Sequence, residues 1–295
     1  MTGLTVGDIA RITGGALHGG DATASVTGAV IDSRKAAEGT MFCALPGERV
    51  DGHDYIASAL AKGAPCALAN RVPEGVSGGV IVVPDVATAM ARLARECRER
   101  FAGPVVGIVG SSGKTTAKEM VACVLAEKFN TLRTEGNLNN ELGVPLTLFR
   151  IDAGTEAAVV ELGISDFGEM RRLGAMARPD IAVYTLIGRS HLNNLHDLDG
   201  VLKAKTELLD EMDSGALIVV NGDDAKLAAL RPRQRMLTYG LEAHNDVHAE
   251  NIDFSDGVSF DAVCKERRIT LHVPTFGRHL VSAALAAATV GIELG

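Results

Sequence analysis

The run Gly110-Ser111-Ser112-Gly113-Lys114-Thr115-Thr116 carries the sharpest chemical signal in the chain. Glycines at 110 and 113 let backbone N–H groups close on phosphate oxygens. Lys114 can reach the β and γ phosphates of a nucleotide, and the Thr115 hydroxyl can hold Mg²⁺. The run follows PVVGIVG (104–110), which reads as a buried strand, and opens KTTAKEMVACVLAEKF (114–129), which reads as a helix. A helix N-terminus adds positive potential where phosphate would sit. The spacing departs from GxxxxGK[ST], because position 108 is Ile and the nearer glycine is Gly110. Strand, glycine turn, Lys-Thr and helix in that order favour a phosphate cradle over a glycine turn that only caps a helix.

Three further residues have types suited to the same chemistry. Glu161 ends the apolar run AAVV, and His191 lies on the turn GRSH after IAVYTLI. Both positions fall at strand ends, where open α/β sheets bind ligands. A carboxylate and an imidazole there could serve Mg²⁺, although imidazole is the less usual partner. The alternatives are a helix-capping carboxylate and a surface histidine. Lys205 sits within DGVLKAKTELLDEM (199–212), four after Val201 and three before Leu208, and so inside the stripe formed with Leu202, Leu209 and Met212. Lys203 faces elsewhere. A buried lysine must be paired, neutralised or modified; one at the edge of the stripe can keep its head in water. Periodicity leaves both open.

The elements that must position these groups divide in three. Residues 1–84 read as a small α/β domain, with strands at 27–32, 40–45, 65–70 and 79–84 and a helix at 53–63. In 86–101, Ala89, Leu93, Cys97 and Phe101 recur every four residues opposite Arg and Glu, giving an amphipathic linker helix within 85–103 that stops at Gly103-Pro104. From 104 to 295 strands (104–110, 157–162, 180–187, 215–222) alternate with helices (114–129, 167–177, 199–212), which predicts a doubly wound, mostly parallel sheet. VSFDAV and RITLHV, within 245–275, alternate apolar and polar as a half-exposed antiparallel element does, and GRHLVSAALAAATVGIELG (277–295) begins as an Ala-rich helix.

Composition agrees with an α/β fold: 46% hydrophobic residues, 33 glycines, 4% aromatics and no Trp among 295 residues suit close helix-to-strand packing. A formal net charge of -8 without a basic stripe speaks against nucleic acid as a partner. Cys43, Cys66, Cys97, Cys123 and Cys264 are odd in number, contain no CxxC pair and lie mostly in apolar runs, so reduced buried thiols are expected. The N-terminus MTGLTVGDIARITGG lacks the pattern of a secretory signal, and no apolar run reaches the length of a membrane span. The expectation is a cytoplasmic, monomeric protein without membrane insertion.

Taken together, the motifs resemble the Mur ligase family, and the resemblance runs over essentially the whole chain. GSSGKTT is similar to its short phosphate loop and TEGNLNNELGVPLTL (134–148) to its second motif. VVELG, IGRSHL and KAKTEL follow in the family's order, and the gap of 14 from His191 to Lys205 matches a metal-binding histidine and a lysine that becomes carbamylated. The resemblance implies ATP and two Mg²⁺ sites, with Thr115 and Glu161 serving one and His191 and a carbamylated Lys205 the other. Lys114, Lys205 and His191 would be catalytic. Residues 110–116 with Asn140, Arg278 and His279 would hold the nucleotide, and Asn137 would shape the substrate pocket. DSRKAAEGTMFCALPGERVDGHDYIASALAKGA (32–64) is similar to the family's UDP-sugar domain. That similarity implies contacts from Ser33 and Arg34 to the UDP part and from Asp51 and His53 nearer the muramoyl-peptide. GNLNNELGVPLTL, without a TTP run, favours the branch joining UDP-muramoyl-tripeptide to D-alanyl-D-alanine through an acyl phosphate.

Three features depart from the family pattern. GRHNxxNALAA becomes GRHLVSAALAA, placing Leu280 and Ala283 where asparagines flank adenine. HLE or HIE becomes HLN, with Asn193. The family's third domain has no counterpart before Gly295, so the 295 residues alone are expected to be incomplete for catalysis. Other readings stay open at this point: a Mur-like ligase of another pathway, a non-catalytic nucleotide or UDP-sugar binder, and a phosphate-loop hydrolase that drives motion.

Overall fold

The computed structural model describes every residue except 2, 48 and 49. Its contacts resolve two units, one of Met1–Ala102 with Glu141–Gly154, the other of Gly103–Asn140 with Thr155–Gly295.

The first unit begins with β1 (Leu4–Thr5) and α1 (Val6–Thr13). Within the 1–84 domain the sequence places no strand or helix before position 27. The stretch nevertheless holds a capping box, in which the Thr5 hydroxyl accepts from the Asp8 N–H and the Asp8 carboxylate accepts from the Thr5 N–H. Gly14 closes the helix in the left-handed region, φ 70°. There follow β2 (Ala16–His18), β3 (Ser25–Val26), β4 (Gly28–Val30), β5 (Thr40–Cys43), α2 (Ile56–Ala61), β6 (Ala67–Ala69) and β7 (Val80–Val82). The sheet order is β2-β7-β6-β5-β4; β4 to β7 are parallel, and β2 is an antiparallel edge. Phe42, Ile56, Ala59, Ala67 and Val80 form the core, and the alanines let α2 lie close on the sheet.

α3 (Val86–Arg100), capped by the Asp85 carboxylate on the Thr88 N–H, buries Val86, Ala89, Met90, Leu93, Ala94 and Cys97. That is the stripe the four-residue spacing predicts, except that Phe101 lies past the end of the helix. α3 belongs to the first unit and is not a free-standing linker. Its partner is a segment expected in the central domain: the helix Gly143–Leu148, with Val144, Pro145 and Leu148 buried, packs on α3. Two short apolar stripes far apart in sequence cover each other, which spacing cannot reveal. A fragment starting at Pro104 would leave that helix with an uncovered face.

The second unit runs β8 (Val105–Val109), α4 (Lys114–Ala126), β9 (Thr131–Arg133), then α5 (Gly143–Leu148, lent to the first unit). It continues with β10 (Ala157–Glu161), α6 (Glu169–Ala177), β11 (Ile181–Tyr184), α7 (Leu192–Leu195), α8 (Leu198–Thr206), α9 (Leu208–Glu211), β12 (Leu217–Asn221) and α10 (Ala225–Ala228). β13 (Arg235–Gly240), β14 (Val247–Asp253), β15 (Val258–Cys264), β16 (Arg267–Val273) and α11 (Arg278–Leu294) complete it. Among the described residues these strands make a nine-stranded sheet ordered β16-β15-β14-β13-β12-β11-β8-β10-β9. From β9 to β14 it is parallel; β15 and β16 add antiparallel strands where alternation predicted them.

Alternate residues of each strand face opposite layers. Val106, Ile108, Ile181 and Val183 pack with α4 and α11, whereas Tyr184 reaches the other way and donates from its hydroxyl to Lys205 O on α8 (3.2 Å). The sheet is therefore wound on both faces. β8 lies between β10 and β11 although it comes first in sequence, so the strand order reverses at its C-terminal end, the place where such sheets bind ligands. The helix expected over 199–212 is interrupted at Glu207. There Lys205 O is taken by Tyr184, and the Glu207 carboxylate accepts from the Gly168 N–H (2.9 Å).

The cysteines are all free. Cys43, Cys66 and Cys97 are buried, while Cys123 is exposed and Cys264 intermediate, so full burial holds for only part of the set. Among the described residues no helix is long and apolar enough to cross a membrane.

Candidate active site

The loop 110–113 leaves β8 and turns into α4 at the reversal point. Two of its glycines are required by geometry. A Cβ on Gly110 would lie 1.9 Å from Thr185 Oγ1, and Gly113 sits at φ 76°, which L side chains rarely adopt. Lys114, half-buried, bends back to donate from Nζ to Gly110 O (3.0 Å). Burial lowers its pKa, and the charge of Glu161 opposes that shift. Thr115 Oγ1 donates to Glu161 Oε2 (3.1 Å), so the hydroxyl at the start of α4 meets the carboxylate at the end of β10.

Glu161 is 2% exposed. Its second oxygen accepts from Asn139 Nδ2 (2.8 Å), and its N–H donates to Thr134 Oγ1 (3.0 Å). Asn139 was not singled out from the sequence; Asn137 and Asn140 were, and both are exposed. Three asparagines in one short motif look alike in sequence, and only the chain path brings Asn139 to the carboxylate. Lys118 was also missed. It is 1% exposed and donates to Thr134 O (2.9 Å), with Glu119 beside it at 2.9 Å. It thus braces the loop that supports Glu161.

His191 is exposed, at φ 52°. Lys205 is 1% exposed. Burial, helped by repulsion from the Lys114 ammonium, lowers the Lys205 pKa to about 8. Lys203 is exposed, its Nζ 6.0 Å from the centre of the Phe167 ring. Arg278 and His279 open α11 at the surface. Leu280 and Ala283, 7% and 8% exposed, pack into the core below them. Among the described residues no group of three or more His, Cys, Asp or Glu gathers as a metal cluster. A cation here would take hydroxyl, carboxylate, water and phosphate oxygens, as Mg²⁺ does.

In the first unit, Ser33 and Arg34 lie on a 3-10 turn (Ser33–Lys35) capped by Asp32. The Arg34 guanidinium, 87% exposed, pairs with Asp32 at 2.8 Å and holds that carboxyl down at about 2. His53, expected near the muramoyl-peptide, lies inside the first unit. It is buried, its Nδ1 meets Asp51 Oδ1, and its Nε2 accepts from the Asn70 N–H (3.0 Å), so both ring nitrogens are used inside the fold. Asp51 caps the turn at Gly52 and also accepts from Arg71 (2.8 Å). His53→Ala strands the Asn70 N–H and leaves a void. It is expected to cost about 2–3 kcal/mol of stability, read by denaturant unfolding, and a loss below about 0.5 kcal/mol would contradict this structural role.

A phosphate loop at the reversal point, with a hydroxyl and a carboxylate facing across it, defines a nucleotide-binding type of α/β protein. Comparison with known proteins narrows the class. Residues 108–291 match the Mur ligase middle domain and residues 25–98 match the Mur ligase family, catalytic domain. The chain belongs to the Mur ligase family. It is similar to the UDP-N-acetylmuramoyl-tripeptide–D-alanyl-D-alanine ligases of Bacillus subtilis (35% identity over 299 residues) and Escherichia coli (34% over 300). All of the chain is covered in both, with 65% and 66% of the relatives' lengths. Among solved structures, MurF from Acinetobacter baumannii superposes with a TM-score of 0.89 at 31% identity, covering 99% of this chain and 65% of that one. MurF ligase from Thermotoga maritima in complex with ADP superposes with 0.81 at 30% identity, covering 91% and 63%. The chain thus spans about 65% of the length of the curated relatives it matches.

Proposed function

We propose that this chain is the substrate-binding and nucleotide-binding part of an ATP-dependent ligase that joins D-alanyl-D-alanine to UDP-N-acetylmuramoyl-tripeptide. The observation that carries the reading is the Thr115–Glu161 pair across the phosphate loop, in a chain similar over its whole length to ligases of that name. The substrate carboxylate attacks the γ-phosphate of ATP, giving an acyl phosphate and ADP. The amine of the dipeptide then adds to the acyl carbon, loses its proton, and phosphate departs. No side-chain nucleophile is needed; the protein aligns reactants and neutralises charge.

Lys114 leaves Gly110 O for the β and γ phosphates, and the N–H groups at the start of α4 close on the same oxygens. Thr115 and Glu161 would hold Mg²⁺, a hard cation suited to their oxygens, which would neutralise phosphate charge. His191 and a carbamylated Lys205 would hold a second one. Arg278 and His279, with Asn140, lie on the nucleotide side of this reading, and Asn137, Ser33, Arg34 and Asp51 on the substrate side. Two results test the whole. In a chain of the relatives' full length carrying these 295 residues, phosphate release should require both the UDP-muramoyl-tripeptide and the dipeptide. Release that is indifferent to either would indicate a hydrolase instead.

The carbamate rests on the amine of Lys205. Only a neutral amine adds to CO₂, and burial has brought this one down to about 8. At fixed dissolved CO₂ the carbamate should therefore grow as pH rises from 7 towards 9. A ¹³C signal from labelled CO₂ that follows this rise and is missing in Lys205→Ala is the expected result. A signal that survives the substitution would place the carbamate elsewhere.

A further inference from the structure

The phosphate loop is shaped from outside. Its Ser111 N–H donates to Leu186 O (2.8 Å), and Thr185 Oγ1 donates to Ser112 O (2.6 Å). Ser190 Oγ meets Ser111 Oγ at 3.1 Å, and Gly110 has no room for a side chain against Thr185. The segment after β11 is thus the mould against which residues 110–112 are set. Beyond Tyr184 its backbone is bonded on the β8 side, through Thr185 N–H to Val109 O (2.9 Å) and the Ser111 N–H to Leu186 O. Two further side chains hold it, from Asn221 at the end of β12 and Asp224 at the start of α10. Asn221 Nδ2 donates to Thr185 O (3.0 Å), and Asp224 Oδ2 accepts from the Ile187 N–H (2.7 Å). The other oxygen of Asp224 accepts from Lys226 N–H (2.9 Å) and Leu227 N–H (3.2 Å), capping α10.

One carboxylate therefore ties a helix start to the segment that moulds the phosphate loop. We propose that Asp224, with Asn221, is a positioning residue for phosphate binding: it fixes segment 185–190, and through it residues 110–112, before nucleotide arrives. The proposal rests on the nucleotide reading given above. Preorganisation of this kind raises affinity because a loop already in place loses less conformational freedom on binding. Neither residue touches the phosphates; each acts through Thr185, Leu186 and Ile187.

Asp224→Ser separates positioning from helix capping. Serine is as good an N-cap but has no second oxygen to reach Ile187. Asp224→Asn keeps a capping oxygen and sets an amide N–H against the Ile187 N–H. The probes are ATP and inorganic tripolyphosphate, titrated into the 295-residue chain and both variants. Both variants should stay folded, with midpoints somewhat lowered by the lost bond to Ile187, and bind both probes about tenfold more weakly. The Ser111 and Ile187 amides should exchange faster with solvent in the nucleotide-free variants. Variants that match the unmodified chain in both affinity and amide exchange would reduce Asp224 to a helix cap. If the unmodified chain binds neither probe, the nucleotide reading fails and the proposal falls with it. If the unmodified chain binds, Lys114→Ala does not, and Asp224→Ser is unchanged, the reading stands and the positioning role alone is lost.

Discussion

Lys114→Ala is expected to lower the affinity of the chain for ATP by about a hundredfold or more while leaving it folded. The side chain now donates one hydrogen bond, to Gly110 O. In the proposed nucleotide complex it would exchange that bond for contacts to two phosphates, and hydrogen bonds to charged groups are worth about 1.5–3 kcal/mol each. Removing them accounts for about two decades in Kd. Folding should be spared because Lys114 is half-buried and its bond to Gly110 O is local. The core of α4 is made by Ala117, Val121 and Leu125, not by Lys114. Titration calorimetry with circular dichroism on the same sample separates the two effects. A folded variant with ATP affinity unchanged would sink the phosphate-loop assignment, whatever the sequence pattern suggests.

If Lys205 carries the proposed carbamate, Lys205→Ala should lower acyl-phosphate formation by about a thousandfold in a chain of the relatives' full length, because it would delete the proposed metal-holding anion and leave a void on a packed face. A short carboxylate such as formate or acetate should restore part of the rate by placing an anion where the proposed carbamate would sit. The control is Lys203→Ala. Lys203 is exposed, with its ammonium over the Phe167 ring, while Lys205 is 1% exposed two residues further on. Lys203→Ala should therefore stay within about threefold of the parent, as surface substitutions usually do. An essential Lys203 beside a dispensable Lys205 would overturn the metal role. Loss of activity in Lys205→Ala without carboxylate rescue, in a chain that still folds, would count against the carbamate.

Local pattern carried much of this. The glycine loop between β8 and α4 was legible because strand, turn and helix are consecutive, and the chemistry proposed for it needs residues that are neighbours in sequence. The phase of Lys205 against Val201 and Leu208 was legible for the same reason, but whether its head is buried or reaches water was left to the structure, which buries it to 1% exposure. The doubly wound sheet followed from the alternation of apolar strands and amphipathic helices. Less visible were β9 and β13: Thr131–Arg133 is short, and Arg235–Gly240 lacks clean alternation. They are strands because neighbouring strands pair with them.

The sequence by itself determined which segments could be strands or helices, where a phosphate could sit, and which lysine falls on the apolar stripe of its helix. These are properties of spacing, and backbone periodicity converts spacing into direction. Tertiary structure alone decided which of three asparagines meets Glu161, and that His53 spends both nitrogens on Asp51 and Asn70. It also decided that the helix at 143–148 joins the first unit, and that Asp224 reaches the segment behind the phosphate loop. Each joins groups whose encounter depends on how the chain crosses itself. A hydrogen bond or a packed face is set by distances of a few ångströms between segments that sequence leaves far apart, and no local period encodes such a distance.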